Sequence, residues 1–305
     1  MRSLQMVLDK RVDGRTKLTG LIGNPVEHTV SPVIHNSLFS YLGINGIYIP
    51  MKTDEAGLET AVRGLAALGF TGFNVTIPYK EAVCDLLDET DDEVKLLGAA
   101  NTVRIKDGRL YGYNTDGEGF VTAFKKQTGS DFSGKKICIL GAGGTARTLA
   151  VKVVQEGAGE VCIINRTVPK ADEIAGYINR TLLKNSGLRK PVFTAAPGTG
   201  QAHGVLNGSE IIINTTSVGM FPNTDASPVG DNVDYLTKPI VYDVIYNPAE
   251  TRFLASARMK GCRTYNGAGM LFYQGIKAFE IWMETKVPDD VLQELSTSFL
   301  KYLEV

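Results

Sequence analysis

The 305-residue sequence predicts an α/β protein of two domains. The first is an N-terminal α/β domain with a mixed sheet, the second is a Rossmann-type dinucleotide-binding domain, and C-terminal helices return to the first. Three observations carry this reading. Short apolar strands alternate with amphipathic helices from Lys17 onward. The apolar strand Ile137-Cys138-Ile139-Leu140 runs directly into the glycine-rich turn Gly141-Ala142-Gly143-Gly144-Thr145. That strand also starts far into the chain, leaving room for a complete domain before it.

Taken in order, Leu18 to Ile22 reads as a strand, Pro32 to Leu42 as a helix and Ile47 to Met51 as a strand. Leu58 to Leu68 reads as the next helix and Gly72 to Ile77 as the next strand. This alternation implies a sheet covered by helices. Two further runs, Asn101 to Ile105 and Leu110 to Tyr113, flank Asp107-Gly108, a good two-residue hairpin turn, which makes the first sheet mixed. Phe120 to Lys126 reads as a connecting helix and Gln127 to Lys136 as a polar approach to the second domain. Strands follow at 137–140, 161–164, 211–214 and 240–244, and the Gly-, Pro- and Ala-rich stretch from Asn185 to Gly208 reads as surface loop. After Asn266-Gly267-Ala268-Gly269 come a long apolar helix, Met270 to Met283, and a last helix, Pro288 to Tyr302. The expected division is 1–118 with 270–305 for one domain and 119–269 for the other.

Composition excludes several function classes. With 32 basic and 33 acidic residues and no long run of either sign, nothing marks a polyanionic partner, so no nucleic acid is expected. The segment Met1 to Lys17 is charged and lacks the apolar core of a signal peptide. No apolar run approaches the ~20 residues that cross a bilayer, so the expectation is a soluble cytoplasmic protein without a membrane partner. The four cysteines, at 84, 138, 162 and 262, form no Cys-x-x-Cys pair and read as reduced core thiols. Histidines at 28, 35 and 203 do not cluster with them, so no metal is expected. Nothing in the sequence separates a monomer from a homodimer.

The chemistry is most readable between Ile137 and Lys170. Glycines at a strand-to-helix turn let backbone N–H groups approach a pyrophosphate at the positive end of the following helix. The second strand, Val161 to Ile164, ends in Asn165-Arg166-Thr167. A site for NAD usually closes that strand with a carboxylate, which bonds the ribose 2′-hydroxyl and repels a 2′-phosphate. Asn165 tolerates the phosphate and Arg166 can grip it as a planar fork, so NADP is the expected cofactor.

Outside this stretch the densest cluster is Phe73-Asn74-Val75-Thr76-Ile77-Pro78-Tyr79-Lys80. It delivers Lys80 to the edge where α/β sheets place ligands, as a candidate acid/base or simply a solvated lysine. A free lysine titrates near ~10.4, so proton transfer near neutrality requires burial or a partner. Asp116, in Tyr113-Asn114-Thr115-Asp116-Gly117-Glu118-Gly119, can pair with it, although Asn-Thr-Asp-Gly is also an ordinary turn. In Glu27-His28-Thr29-Val30-Ser31-Pro32, Ser31 is expected to cap the helix starting at Pro32, while Thr29 and Ser31 together can bind a carboxylate. Asn101, Tyr246, Gln274 and the polar loop Asn214 to Met220 are each unspecific alone.

In order, these segments resemble the shikimate dehydrogenase family. The resemblance runs through Gly23-Asn24-Pro25, Thr29-Val30-Ser31-Pro32-Val33-Ile34-His35-Asn36, Asn74 to Lys80, Gly98-Ala99-Ala100-Asn101-Thr102 and Asn114-Thr115-Asp116-Gly117. It continues through Gly141 to Gly144, Asn165-Arg166-Thr167 and Asn266-Gly267-Ala268-Gly269-Met270 with Gln274. It implies two α/β domains, NADP in the second, and reversible reduction of 3-dehydroshikimate to shikimate in aromatic amino-acid biosynthesis. It further implies Lys80 and Asp116 as the catalytic pair. Thr29, Ser31, Thr76, Asn101, Tyr246 and Gln274 would join them around the substrate. The cofactor would meet Gly141, Ala142, Gly143, Gly144, Thr145, Asn165, Arg166, Thr167 and Lys170, with Val244 and Gly267 at the nicotinamide. Where the family usually has serine, this chain has Thr29, whose methyl narrows the carboxylate end and bears on discrimination against quinate. The competing readings are a quinate/shikimate dehydrogenase that accepts NAD and a catalytically silent NADP-sensing module.

Overall fold

The computed structural model describes residues 12–183, 188, 191–230 and 232–303. The expectation about the first residues therefore falls largely outside the described residues. The chain divides into two compact units, one running to Thr115 and resuming over Gln274–Phe299, the other covering Asp116–Tyr273 and Leu300 onward.

In the first unit the elements are β1 (Lys17–Gly23), α1 (Ser31–Tyr41), β2 (Gly46–Lys52), α2 (Leu58–Ala67), β3 (Gly72–Val75), β4 (Glu89–Thr90), α3 (Asp92–Leu97), β5 (Thr102–Lys106) and β6 (Arg109–Tyr113). The six strands lie in the order β2-β1-β3-β5-β6-β4. β1 runs parallel to β2 and β3, while β5 is antiparallel to both β3 and β6, so the sheet is mixed. Asp107 (φ 51°) and Gly108 (φ 75°) both take the left-handed conformation that a two-residue hairpin turn demands. Ile22, Val62, Phe73, Val75, Val103 and Leu110 form the core beneath the sheet.

Glycine at position 72 is a packing requirement. A Cβ there would press into the Trp282 ring and lie 2.6 Å from the Val103 carbonyl oxygen. The buried Trp282 donates its Nε1–H to that same oxygen at 2.9 Å. Gly72→Ala is expected to destabilise this unit by ~1–3 kcal/mol, the usual range for overpacking a filled core. A urea midpoint equal to that of the parent chain would refute this.

The second unit contains α4 (Asp116–Thr128), β7 (Lys136–Leu140), α5 (Gly144–Gln155), β8 (Glu160–Ile164), α6 (Val168–Thr181), β9 (Phe193–Ala195), α7 (Gly200–Gly208), β10 (Ile211–Asn214), β11 (Ile240–Asp243), α8 (Arg252–Met259) and β12 (Arg263–Tyr265). Its strands are all parallel in the order β12-β11-β10-β7-β8-β9. This is a doubly wound sheet whose order reverses between β7 and β10, where such sheets bind ligands. Strands covered on both faces read as unbroken apolar runs, as in Ile137–Leu140 and Ile211–Ile213, all buried. The helix α9 (Ala268–Met283) begins in this unit and continues into the first, and α10 (Asp289–Leu303) follows it, counted with the first unit as far as Phe299.

Three expectations need correction. The described part of the Asn185–Gly208 stretch is not all loop, since β9 pairs with β8 and α7 follows it. The remaining positions, 185–187, 189 and 190, lie outside the described residues. A three-residue edge strand is too short to show a period, and α7 forms despite its glycines because Thr199 caps it and Ala202 and Leu206 are buried. The connecting helix begins at Asp116 rather than Phe120, with Asp116 and Glu118 favourably placed in its first turn. β3 stops at Val75, so Thr76 and Ile77 lie beyond the strand.

Candidate active site

In the first unit, the residues singled out by sequence gather at one edge of the sheet for a topological reason. The segment with Thr29 and Ser31 leaves the C-terminal end of β1, and Thr76 and Lys80 follow the C-terminal end of the parallel neighbour β3. β5 is antiparallel to β3, so Asn101, just before it, lies at the same edge, as does Thr115 after β6. The Val75 N–H donates to the Asn101 carbonyl at 2.9 Å and closes the edge.

A buried polar network ties these positions together. The Tyr48 hydroxyl donates to Asn74 Oδ1 at 2.9 Å. Asn74 Nδ2 donates to the Asn101 carbonyl and to Thr102 Oγ1, both at 3.1 Å. Asn101 Oδ1 accepts from the Thr115 N–H at 2.8 Å and from the Thr102 hydroxyl at 3.0 Å. Its Nδ2 donates to Thr115 Oγ1 at 3.0 Å and reaches Gln274 Oε1 at 3.4 Å. His35 stacks on Tyr48 with ring centroids 4.2 Å apart. Burial holds both rings neutral, pushing His35 down to about 3, with the Asn74 amide opposing, and the Tyr48 phenol well above its ordinary range. The bonds with Thr102, Thr115 and Gln274 fix the orientation of the Asn101 amide.

Ser31 does not cap its helix as expected. The residue at the cap is Val30, without a side-chain cap bond, and Ser31 is already the first helical residue. Thr29 takes the capping role instead, accepting the Ser31 N–H at 3.3 Å and donating its hydroxyl to Ser31 Oγ at 3.2 Å. The two hydroxyls are thus held side by side. Lys80 is half-buried, and its carbonyl accepts from the Ala100 N–H at 2.8 Å.

The second unit carries the other group. Gly141 (φ 110°) donates its N–H to the Ile164 carbonyl at 2.8 Å, and a Cβ there would meet Thr215 Oγ1 at 2.7 Å, so glycine is required twice over. Gly143 and Gly144 are exposed, while Ala142 and Thr145 are half-buried. The N-terminus of α5 has no side-chain cap and no acidic residue in its first turn. The N-terminus of α6 is likewise uncapped and free of acid, with Arg166 and Lys170 exposed beside it. Two bare helix N-termini, one flanked by cations, fit the pyrophosphate and 2′-phosphate of NADP. Asn165 works differently from the expectation, spending its amide on the Thr167 carbonyl at 2.8 Å and so shaping the turn that carries Arg166.

At the far side of this sheet, a Cβ on Gly267 would collide with the Val244 carbonyl, and the Gly267 N–H donates to the Ile245 carbonyl at 3.0 Å. Tyr246 is half-buried in this same unit, and burial raises its phenol. Asp116 opens α4 here. Tyr48 and Asp243 were not singled out from sequence. Tyr48 looks like ordinary strand packing, whereas Asp243 does carry a signal, a lone charge ending an apolar strand. Among the described residues no helix is long and apolar enough to cross a membrane, and no group of His, Cys, Asp or Glu is arranged to hold a metal ion.

Residues 21–103 match the family model of the shikimate dehydrogenase substrate binding domain, and residues 123–217 match that of shikimate / quinate 5-dehydrogenase. The shikimate dehydrogenase (NADP(+)) of Methanopyrus kandleri is 41% identical over 300 residues, covering 97% of this chain and 100% of that protein. A crystal structure of a shikimate dehydrogenase in complex with NADP+ superposes with a TM-score of 0.84 at 38% identity, covering 95% of this chain and 98% of the other. The Listeria monocytogenes shikimate 5-dehydrogenase, in complex with shikimate and NAD, gives a TM-score of 0.84 at 34% identity, covering 93% and 98%. With both units matched by family models and almost the whole length shared with a relative, the chain belongs to the shikimate dehydrogenase family.

Proposed function

We propose that this chain catalyses the reversible, NADP-dependent reduction of 3-dehydroshikimate to shikimate, a step toward chorismate and the aromatic amino acids. The observation that carries the reading is the set of hydroxyls and amides converging at one edge of the first sheet, on Thr29, Ser31, Asn101 and Gln274. Such a set suits a ligand that is itself a carboxylate bearing several hydroxyls. NADPH, when bound, supplies the hydride. Gly141 to Thr145 would hold its pyrophosphate, Arg166 and Lys170 its 2′-phosphate, and Val244 and Gly267 would face the nicotinamide. Thr29 and Ser31 would bind the substrate carboxylate, with Thr76, Asn101, Gln274 and Tyr246 on the ring. Lys80 protonates the developing alkoxide, and Asp116 is its partner in handling the proton, an assignment that rests on the sequence motif. A small-molecule substrate is the partner this reading requires; the enzyme is assigned to the cytoplasm, as monomer or homodimer.

Initial rates for shikimate and quinate, each with NADP and with NAD, test the proposal. Turnover fastest with shikimate and NADP supports it, and NADPH binding without turnover of 3-dehydroshikimate would favour the silent sensing module. A quinate/shikimate dehydrogenase accepting NAD is the nearest rival, and Thr29 is where it enters. Because the Thr29 hydroxyl is fixed against Ser31, its methyl is fixed too, at the end assigned to the carboxylate. Quinate differs by a tertiary hydroxyl close to that carboxylate. Thr29→Ser is expected to raise kcat/KM for quinate relative to shikimate by about tenfold, the scale of one methyl group in a pocket. A ratio unmoved by the substitution would remove Thr29 from selectivity.

A further inference from the structure

The carboxyl edge of the second sheet holds a charged side chain that the reaction just described leaves without a task. Asp243, the last residue of β11, is 0% exposed behind Ile240, Val241 and Tyr242. A carboxylate in such a place needs an explanation. Its Oδ1 accepts from Asn214 Nδ2 at 2.9 Å and from the Ile245 N–H at 3.0 Å, and its Oδ2 accepts from the Thr251 hydroxyl at 2.7 Å.

The three donors come from three segments. Asn214 ends β10, and its Oδ1 accepts from the Thr216 N–H at 3.0 Å and the Thr216 hydroxyl at 2.7 Å. Ile245 lies in the loop after β11, and its carbonyl accepts from Gly267. Thr251 caps α8, its oxygen accepting from the Leu254 N–H at 3.3 Å. In a sheet of this strand order the adenosine half of a dinucleotide lies on the β7–β8–β9 side, and the other half lies over β10 and β11. The loops tied to this carboxylate are those on the second side.

We propose that Asp243 is a positioning residue for the nicotinamide half of the dinucleotide, holding the loops at Thr216, Val244–Ile245 and Gly267 in register through its three hydrogen bonds. The proposal rests on the NADP reading above. Energetics point the same way. Burial pushes the carboxyl up to about 6, against the opposing pull of Ile245, Thr251 and Asn214. Among the described residues, the titratable group beside it is the Tyr242 phenol, itself raised chiefly by burial and further by Asp243. With a folded value above the ordinary 3.8, the folded state binds the proton more tightly, so this group's contribution to stability falls as pH rises from about 4 through about 6. Near neutrality the anion is thus kept at some expense of stability, as expected of a group retained for its hydrogen bonds to a site. Below about 6 the added proton removes the charge that strengthens all three bonds and turns the Thr251 hydroxyl from donor to acceptor, so the hold on the loops weakens.

The test compares dissociation constants of the whole chain for NADP and for 2′,5′-ADP, which carries the adenosine half and its 2′-phosphate but no nicotinamide. In Asp243→Asn the charge that strengthens all three bonds is lost and the Thr251 hydroxyl must turn from donor to acceptor, and the ratio Kd(NADP)/Kd(2′,5′-ADP) is expected to rise roughly tenfold. In the parent chain the pH series compares NADP with 2′-phospho-ADP-ribose, because the terminal 5′-phosphate of 2′,5′-ADP would itself take up a proton near ~6. The ratio Kd(NADP)/Kd(2′-phospho-ADP-ribose) should rise as pH falls below about 6, whereas protonation of the shared 2′-phosphate weakens both alike and cancels. If Asp243→Asn does not fold, Thr251→Val, which removes one donor, and the parent pH series decide. A ratio unchanged by substitution and by pH overturns the positioning role, as does an equal loss for both ligands. Failure of the parent chain to bind either ligand would instead overturn the NADP reading, and this inference with it.

Discussion

Lys80→Ala is expected to lower kcat by roughly 10²–10⁴ while changing the KM for shikimate little, the signature of a lost acid/base group. The backbone around it explains why the effect should be confined to chemistry. The Lys80 carbonyl accepts from the Ala100 N–H at 2.8 Å and from the Cys84 thiol at 3.6 Å. Tyr79 is buried and donates its hydroxyl to the Thr53 carbonyl at 2.9 Å. The loop is therefore pinned on both sides of the lysine, and truncating the side chain should not move Thr76 or Asn101. Lys80→Arg separates two roles that alanine removes together. Arginine keeps a positive charge to stabilise an alkoxide but does not give up a proton, so rescue by arginine would assign Lys80 to electrostatics alone. Near-normal turnover of the alanine variant would remove Lys80 from the mechanism altogether.

The long regular elements were legible because their physics is local. α2 appears at Leu58–Ala67 with Leu58, Val62 and Leu65 buried, which is the helical period read from the sequence. The β5–β6 hairpin stands where Asp107-Gly108 supplies two left-handed residues. β4, at Glu89–Thr90, and β9 were not legible, since two or three residues carry no period and pair only because a neighbouring strand offers an edge. The candidate site divides in the same way. Thr29, Ser31, Asn101 and the glycine turn stand in motifs, whereas Tyr48 matters through Asn74, 26 positions away, and Asp243 through Asn214, 29 positions away. Contacts of that kind depend on strand register, and strand register is settled by the assembled sheet. Ser31 shows the opposite error. The Ser-Pro pair reads as a cap followed by a first turn, but Thr29 reaches the Ser31 N–H first.

Arg166→Ala should raise the KM for NADPH by roughly 10–100-fold and leave that for NADH almost unchanged, because the lost contact is a charge-assisted one to a phosphate that NADH lacks. The local structure makes the contrast sharp. Asn165 is committed to the Thr167 carbonyl, so the turn keeps its shape without the arginine side chain. α6 has no acidic residue in its first turn that would repel the phosphate or be released by the substitution. Lys170 and the bare N-terminus of α6 remain, which is why the expected loss is partial. Arg166 is exposed, so its advantage is screened, and the NADPH/NADH discrimination of the parent chain should shrink as ionic strength rises. Arg166→Ala should show little of that salt dependence. Equal changes in KM for the two cofactors would mean that Arg166 does not touch the 2′-phosphate, and the preference for NADP would then have to arise from Lys170 and the helix terminus alone.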